Sequence, residues 1–82
     1  MSVIWVLCRS LTYAQRAAAL LERKGITALI SRAPQGADPR GCGHAVKIRK
    51  RAPEAVKILR DAQIPIGKIL EQQGSVLREV EL

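Results

Sequence analysis

The chain contains no phenylalanine, and its only aromatic residues are Trp5 and Tyr13. A core must therefore be assembled from Ala, Val, Ile and Leu, which close tightly but bury little area apiece. That predicts modest stability unless the chain forms a homodimer. No run of about 18 apolar residues occurs, so no membrane-spanning helix is expected. The opening MSVIWVLCRS lacks a basic n-region and a small-residue cleavage site. Its character argues against a signal peptide and predicts a cytoplasmic protein. Only two cysteines are present, Cys8 and Cys42, and they form no CxxC pair. Two cysteines do not make a disulfide scaffold, and a reducing compartment keeps both as thiols. With the single histidine, His44, they fall one ligand short of a structural zinc site, so no metal is expected. The seven acidic residues are scattered, and no G-x-x-x-x-G-K occurs. Paired-carboxylate, serine-triad and P-loop chemistry are thereby set aside, and no cofactor is called for.

What the sequence does hold is basic charge and aliphatic pattern. Fourteen Lys and Arg against seven Asp and Glu leave a net charge of +7 and a pI near 10.3. This balance favours anionic partners such as nucleic acid, phosphorylated metabolites or an acidic protein surface; a merely solvated basic surface is the plain alternative. At 82 residues the chain is one small domain, residues 1–82.

SVIWVLC (2–8) is a continuous, β-branched-rich apolar run and reads as a central strand. In SLTYAQRAAALLERKG, Thr12 followed by Gln15 resembles a capping box, and Gly25 stands at a left-handed C-cap position. Between them Ala14, Ala17, Ala18 and Leu21 make one apolar helix face. ITALIS (26–31) reads as a second strand, and RAPQGADPRGCG (32–43) as a loop. HAVKIR (44–49) alternates like a strand with Val46 and Ile48 inward and Lys47 and Arg49 on a wet face. In APEAVKILRDAQ, Pro53 opens a helix whose buried stripe is Ala55, Ile58, Leu59 and Ala62. A fourth strand is expected around 68–72. Residues 73–82 either return through Gln73-Gly74 as an extra strand or fray. The order βαββαβ, with right-handed crossovers, predicts an α+β ferredoxin-like sandwich: an antiparallel sheet of order 4-1-3-2 with both helices on one face.

This topology gathers Cys8, Arg9, Ser10, Thr12, Arg40, Cys42 and His44 at one end of the sheet. An ordinary thiol is only a few per cent thiolate at neutral pH. A helix N-terminus with Arg9 and Arg40 nearby could lower the Cys42 pKa by about 1.5 units, which needs only about 2 kcal/mol. Gly41 and Gly43 leave room beside the sulfur and free backbone N–H groups to turn toward an anion. Cys8 is a candidate resolving thiol and His44 a candidate proton carrier. The plain alternatives stand beside these readings. Gly-Cys-Gly can be a bulge with a small buried thiol, Cys8 a core residue, Ser10 and Thr12 caps, and the arginines surface charge.

Taken together, SLTYAQRAAALLERKGI, GCGHAVKI and APEAVKILRDAQIPIGKIL resemble the selenium/sulfur carrier-like family, small domains also called DUF3343. The resemblance covers residues 2 to about 72. It matches Cys42-Gly43 to the family's Cys-Gly pair, Ser10 and Thr12 to its Ser/Thr turn, and Lys68-Ile69-Leu70-Glu71 to its closing stretch. The resemblance implies a carrier, rather than a conventional enzyme, that holds sulfur or selenium on Cys42 as a persulfide or selenosulfide. It also implies donor and acceptor proteins as partners. The runner-up is a basic nucleic-acid-binding or regulatory assembly module with a structural Cys42. Such a module would need exposed aromatics on the first and third strands to stack bases, and HAVKIR has none.

Overall fold

The computed structural model describes residues 2–34 and 43–82. Seven elements follow in chain order: β1 (Ser2–Cys8), α1 (Leu11–Arg23), β2 (Ala28–Arg32), β3 (His44–Ile48), α2 (Ala52–Asp61), β4 (Ile69–Gln73) and β5 (Val76–Glu79). The strands form one antiparallel sheet of order β2-β3-β1-β4-β5. This is the ferredoxin-like α+β arrangement with one strand added beyond β4. The added strand is the tail pairing back as a hairpin. Its two-residue turn opens with Gly74 at φ +60°, a backbone conformation that favours glycine.

Alternation along the strands assigns the faces. Ile4, Val6 and Cys8 of β1, Val46 and Ile48 of β3, Ala28 of β2 and Ile69 of β4 pack with the buried stripes of both helices. The α1 stripe is Ala14, Ala17, Ala18 and Leu21, as its spacing predicts. The α2 stripe is Ala52, Ala55, Val56 and Leu59. It lies one turn earlier than expected: Ala62 is exposed and Ile58 half-buried, because the helix ends at Asp61. The second strand is likewise displaced, starting at Ala28 rather than at Ile26.

The opposite face is not simply wet. Trp5, Leu7, Ala45 and Leu70 form a second small cluster, supported by Val3, Ala33 and Leu77. The Trp5 indole N–H donates to Gln72 Oε1 at 2.8 Å, and Lys47 Nζ lies 5.2 Å from the ring centroid. Trp5 is therefore closed on its edge and occupied on its face. It offers no platform for a base.

Both helices end in the same way with different residues. After α1, Gly25 takes φ +82°, its N–H donates to Glu22 O, and the Ile26 N–H donates to Leu21 O. After α2, Gln63 takes φ +59°, its N–H donates to Arg60 O, and the Ile64 N–H donates to Leu59 O. Each is a Schellman closure, which places its turning residue in the left-handed region where a Cβ is disfavoured. Gln63→Gly should therefore stabilise the fold by about 0.5–1 kcal/mol. The check is a rise in the urea midpoint; an unchanged or lower midpoint would show that the Gln63 side chain contributes more than the backbone strain removes.

Candidate functional site

β1 ends where β3 begins, and the register places Cys8 directly opposite His44. On the other side of β3, His44 is opposite Arg32 of β2. Directly opposed residues project to the same face, so Cys8, His44 and Arg32 make a row across one end of the sheet on its helix side. Gly43 precedes that row, exposed, and its carbonyl accepts the Ala33 N–H at 3.0 Å. Chain continuity adds Arg9 and Ser10 beside Cys8. Six residues named from the sequence thus share one end: Cys8, Arg9, Ser10, Thr12, Gly43 and His44. Arg40, Gly41 and Cys42 lie outside the described residues.

The local structure revises two roles. The cap of α1 is Ser10, not Thr12. Ser10 has extended backbone (φ −148°, ψ 163°), and its hydroxyl accepts the Tyr13 N–H at 3.3 Å. Thr12 is already the second helical residue and is exposed. The Thr12–Gln15 spacing matches a capping box, but the chain turns helical one residue sooner, at Leu11. Ser10 thus satisfies one N–H of the helix start, the others being left for water or a ligand.

Cys8 belongs to the core. It is fully buried on the helix face among Val6, Ala14 and their neighbours, and its thiol donates to Val6 O at 3.6 Å. A thiol so placed meets an external reagent only when the end of the sheet opens. His44 is half-buried and Arg9 exposed. Among the described residues, no three His, Cys, Asp or Glu side chains gather closely enough to hold a metal ion. None of the described helices is long and apolar enough to cross a membrane.

A second feature lies at the far end of β2 and β3. A groove of about 320 Å³ runs over Gly25, Thr27 and Leu29 and is walled by Lys47, Arg49, Lys50 and Arg51. Arg51 is engaged: its guanidinium holds Glu54 through bonds of 2.9 and 2.6 Å and reaches Gly25 O at 3.3 Å. The Glu54 carboxyl is held below its ordinary pKa, chiefly by the hydrogen bond from Arg51. Among the described residues, Lys47, Arg49 and Lys50 have no carboxylate within ion-pair distance. The run KIRKR carries this feature in the sequence, where it stands out only as net charge.

Residues 4–71 match the family model described as "Putative Se/S carrier protein-like", and the chain belongs to that family. The matched span holds both cysteines, both helices, β2 and β3 whole, and most of β1 and β4. A carrier-like family implies exchange with partner proteins. No curated protein and no solved structure matches the chain.

Proposed function

We propose that the protein carries one atom of sulfur or selenium on Cys42 and delivers it to an acceptor protein in the cytoplasm. The observation that carries this reading is the burial of Cys8 within a chain of the selenium/sulfur carrier-like family. One of the two thiols is packed into the core, and within this family that supports Cys42 as the residue for chemistry. The placement of Arg9, the α1 start and His44 at the sheet end next to Gly43 supports it further.

The chemistry is thiol–persulfide exchange. The Cys42 thiolate attacks the terminal sulfur of a donor persulfide, R–S–SH. The sulfur–sulfur bond of the donor breaks, R–S⁻ departs and takes up a proton, and Cys42–S–SH is formed. An acceptor thiolate then attacks the outer sulfur and Cys42 leaves as thiolate. No net oxidation occurs in either step. A donor R–S–SeH gives the selenosulfide by the same substitution. His44 serves as the proton carrier, and Arg9 and Arg40 hold the anionic persulfide. Gly41 and Gly43 give both partners access to the sulfur. Ser10 fixes the helix start, with Thr12 in the following turn. Cys8 packs the floor of this end and is the candidate resolving thiol for an oxidised Cys42.

Intact mass and peptide mapping after incubation with a cysteine desulfurase charged with its own cysteine persulfide test the proposal. The expected product is a one-sulfur adduct on Cys42, removed by reductant, absent in Cys42→Ala and retained in Cys8→Ala. A parallel incubation with a selenosulfide donor reads selenium. Failure of the folded wild-type protein to take up either atom, under conditions that load a known carrier, would return Cys42 to a structural turn.

A further inference from the structure

We infer that the outer edge of β2, with the cationic groove beside it, is the docking site for an acidic β-strand of a partner protein. Three independent observations meet there. First, among the described residues β2 pairs only with β3 and so forms one border of the sheet. The Ala33 N–H donates to Gly43 O, a pair in the same register as Leu29↔Lys47 and Ser31↔Ala45. Residues 29, 31 and 33 therefore direct their backbone groups inward, and Ala28, Ile30 and Arg32 direct theirs outward. Second, this border is apolar on both faces: Leu29 is 53% and Ile30 41% exposed. Natural edge strands are ordinarily guarded by charge, proline or a bulge, and Ala28–Arg32 has a charge only at its end. Third, the neighbouring groove presents Lys47, Arg49 and Lys50 without carboxylate partners among the described residues.

A strand added to this edge gains backbone hydrogen bonds, and its alternate side chains choose the partner. In a strand of alternating character, the apolar side chains would cover Ile30 on the helix side of the sheet, and the acidic ones would lie on the Leu29 face beside Lys47 and Arg49, with Lys50 next in the chain. Nucleic acid fits less well, because phosphate has no use for Leu29 and Ile30, and Trp5 is already covered by Lys47. A second copy of the chain also fits poorly. Pairing β2 with β2 would bring like charges together. The β5 edge, although it carries Glu79, holds that residue against Lys68 and holds Arg78 against Glu71. The inference stands whether or not Cys42 carries a chalcogen.

The test uses the full chain and the peptide acetyl-Glu-Val-Glu-Ile-Glu-Val-Glu-amide, followed by backbone NMR. Binding should shift the amides of Ala28, Ile30 and Arg32, and the same peptide with lysine for glutamate should not bind. Arg49→Glu/Lys50→Glu, at exposed positions, should weaken binding by about tenfold or more. Ile30→Pro removes an outward N–H while sparing the bonds to β3 and should weaken it comparably. If Ile30→Pro does not fold, the charge reversal decides. The proposal is overturned if the acidic peptide does not bind, or binds with shifts away from β2. It is equally overturned if a short oligothymidylate produces the same shifts more tightly, or if those amides shift with protein concentration alone.

Discussion

Leu21→Ala and Leu59→Ala should each destabilise the protein by about 2–5 kcal/mol. Both leucines are fully buried, one from each helix, in the cluster between the helices and the sheet. The buried rest of that cluster is Ala, Val, Ile and Cys8, held in place by strands and helices, so the space left by a deleted isobutyl group is filled only in part. A chain of 82 residues is expected to have a total stability of about 4–12 kcal/mol, so either change removes a large share of it. With a urea dependence of about 1 kcal/mol per molar, the midpoint should fall by about 2 M or more with the slope unchanged. Leu29→Ala, on the exposed β2 edge, should move it by less than about 0.5 kcal/mol. Equal small shifts for all three would mean that the helices do not seal the sheet as described.

The contrast between the two helices explains what could be read in advance. In α1 the charged and polar residues Gln15, Arg16, Glu22 and Arg23 bound the face of Ala14, Ala17, Ala18 and Leu21, and Gly25 marks the end, so this i, i+3, i+4, i+7 stripe stood out despite Ala19 and Leu20. In α2 the stretch APEAVKILRDA admits two stripes a turn apart, because Ala52, Ala55, Val56, Ile58, Leu59 and Ala62 are all apolar. The left-handed turn at Arg51 and the closure at Gln63 select the earlier one, and neither residue type advertises such a conformation. Sheet order was legible because crossover handedness leaves few arrangements. The second cluster around Trp5 was not, since it depends on Gln72 and Lys47 meeting the indole from strands on either side. The gathering of Cys8 with His44 followed directly from topology. The role of Cys8 did not: a cysteine ending a strand can face either way, and only register assigns it to the helix side.

That assignment has a sharp chemical consequence. In protein carrying Cys42→Ala, Cys8 should react with iodoacetamide about 10²-fold or more slowly than in the same protein unfolded in urea at equal pH. Its thiol is fully buried and points into the helix-side core, so reaction requires an opening of the end of β1. An opening free energy of about 3 kcal/mol already gives a population near one in a hundred. Labelling followed by mass spectrometry reads the ratio, and Ser10→Ala should raise the native rate several-fold by loosening the start of α1 at a cost of about 1 kcal/mol. A Cys8 that reacts in the native state as it does in urea would mean that both thiols are reachable. The burial that supports the reading of Cys42 would then carry no weight, and a two-cysteine exchange would have to replace the proposed single-site carrier. Slow labelling, with full uptake of sulfur by wild type, would leave one sulfur atom through which transfer can pass.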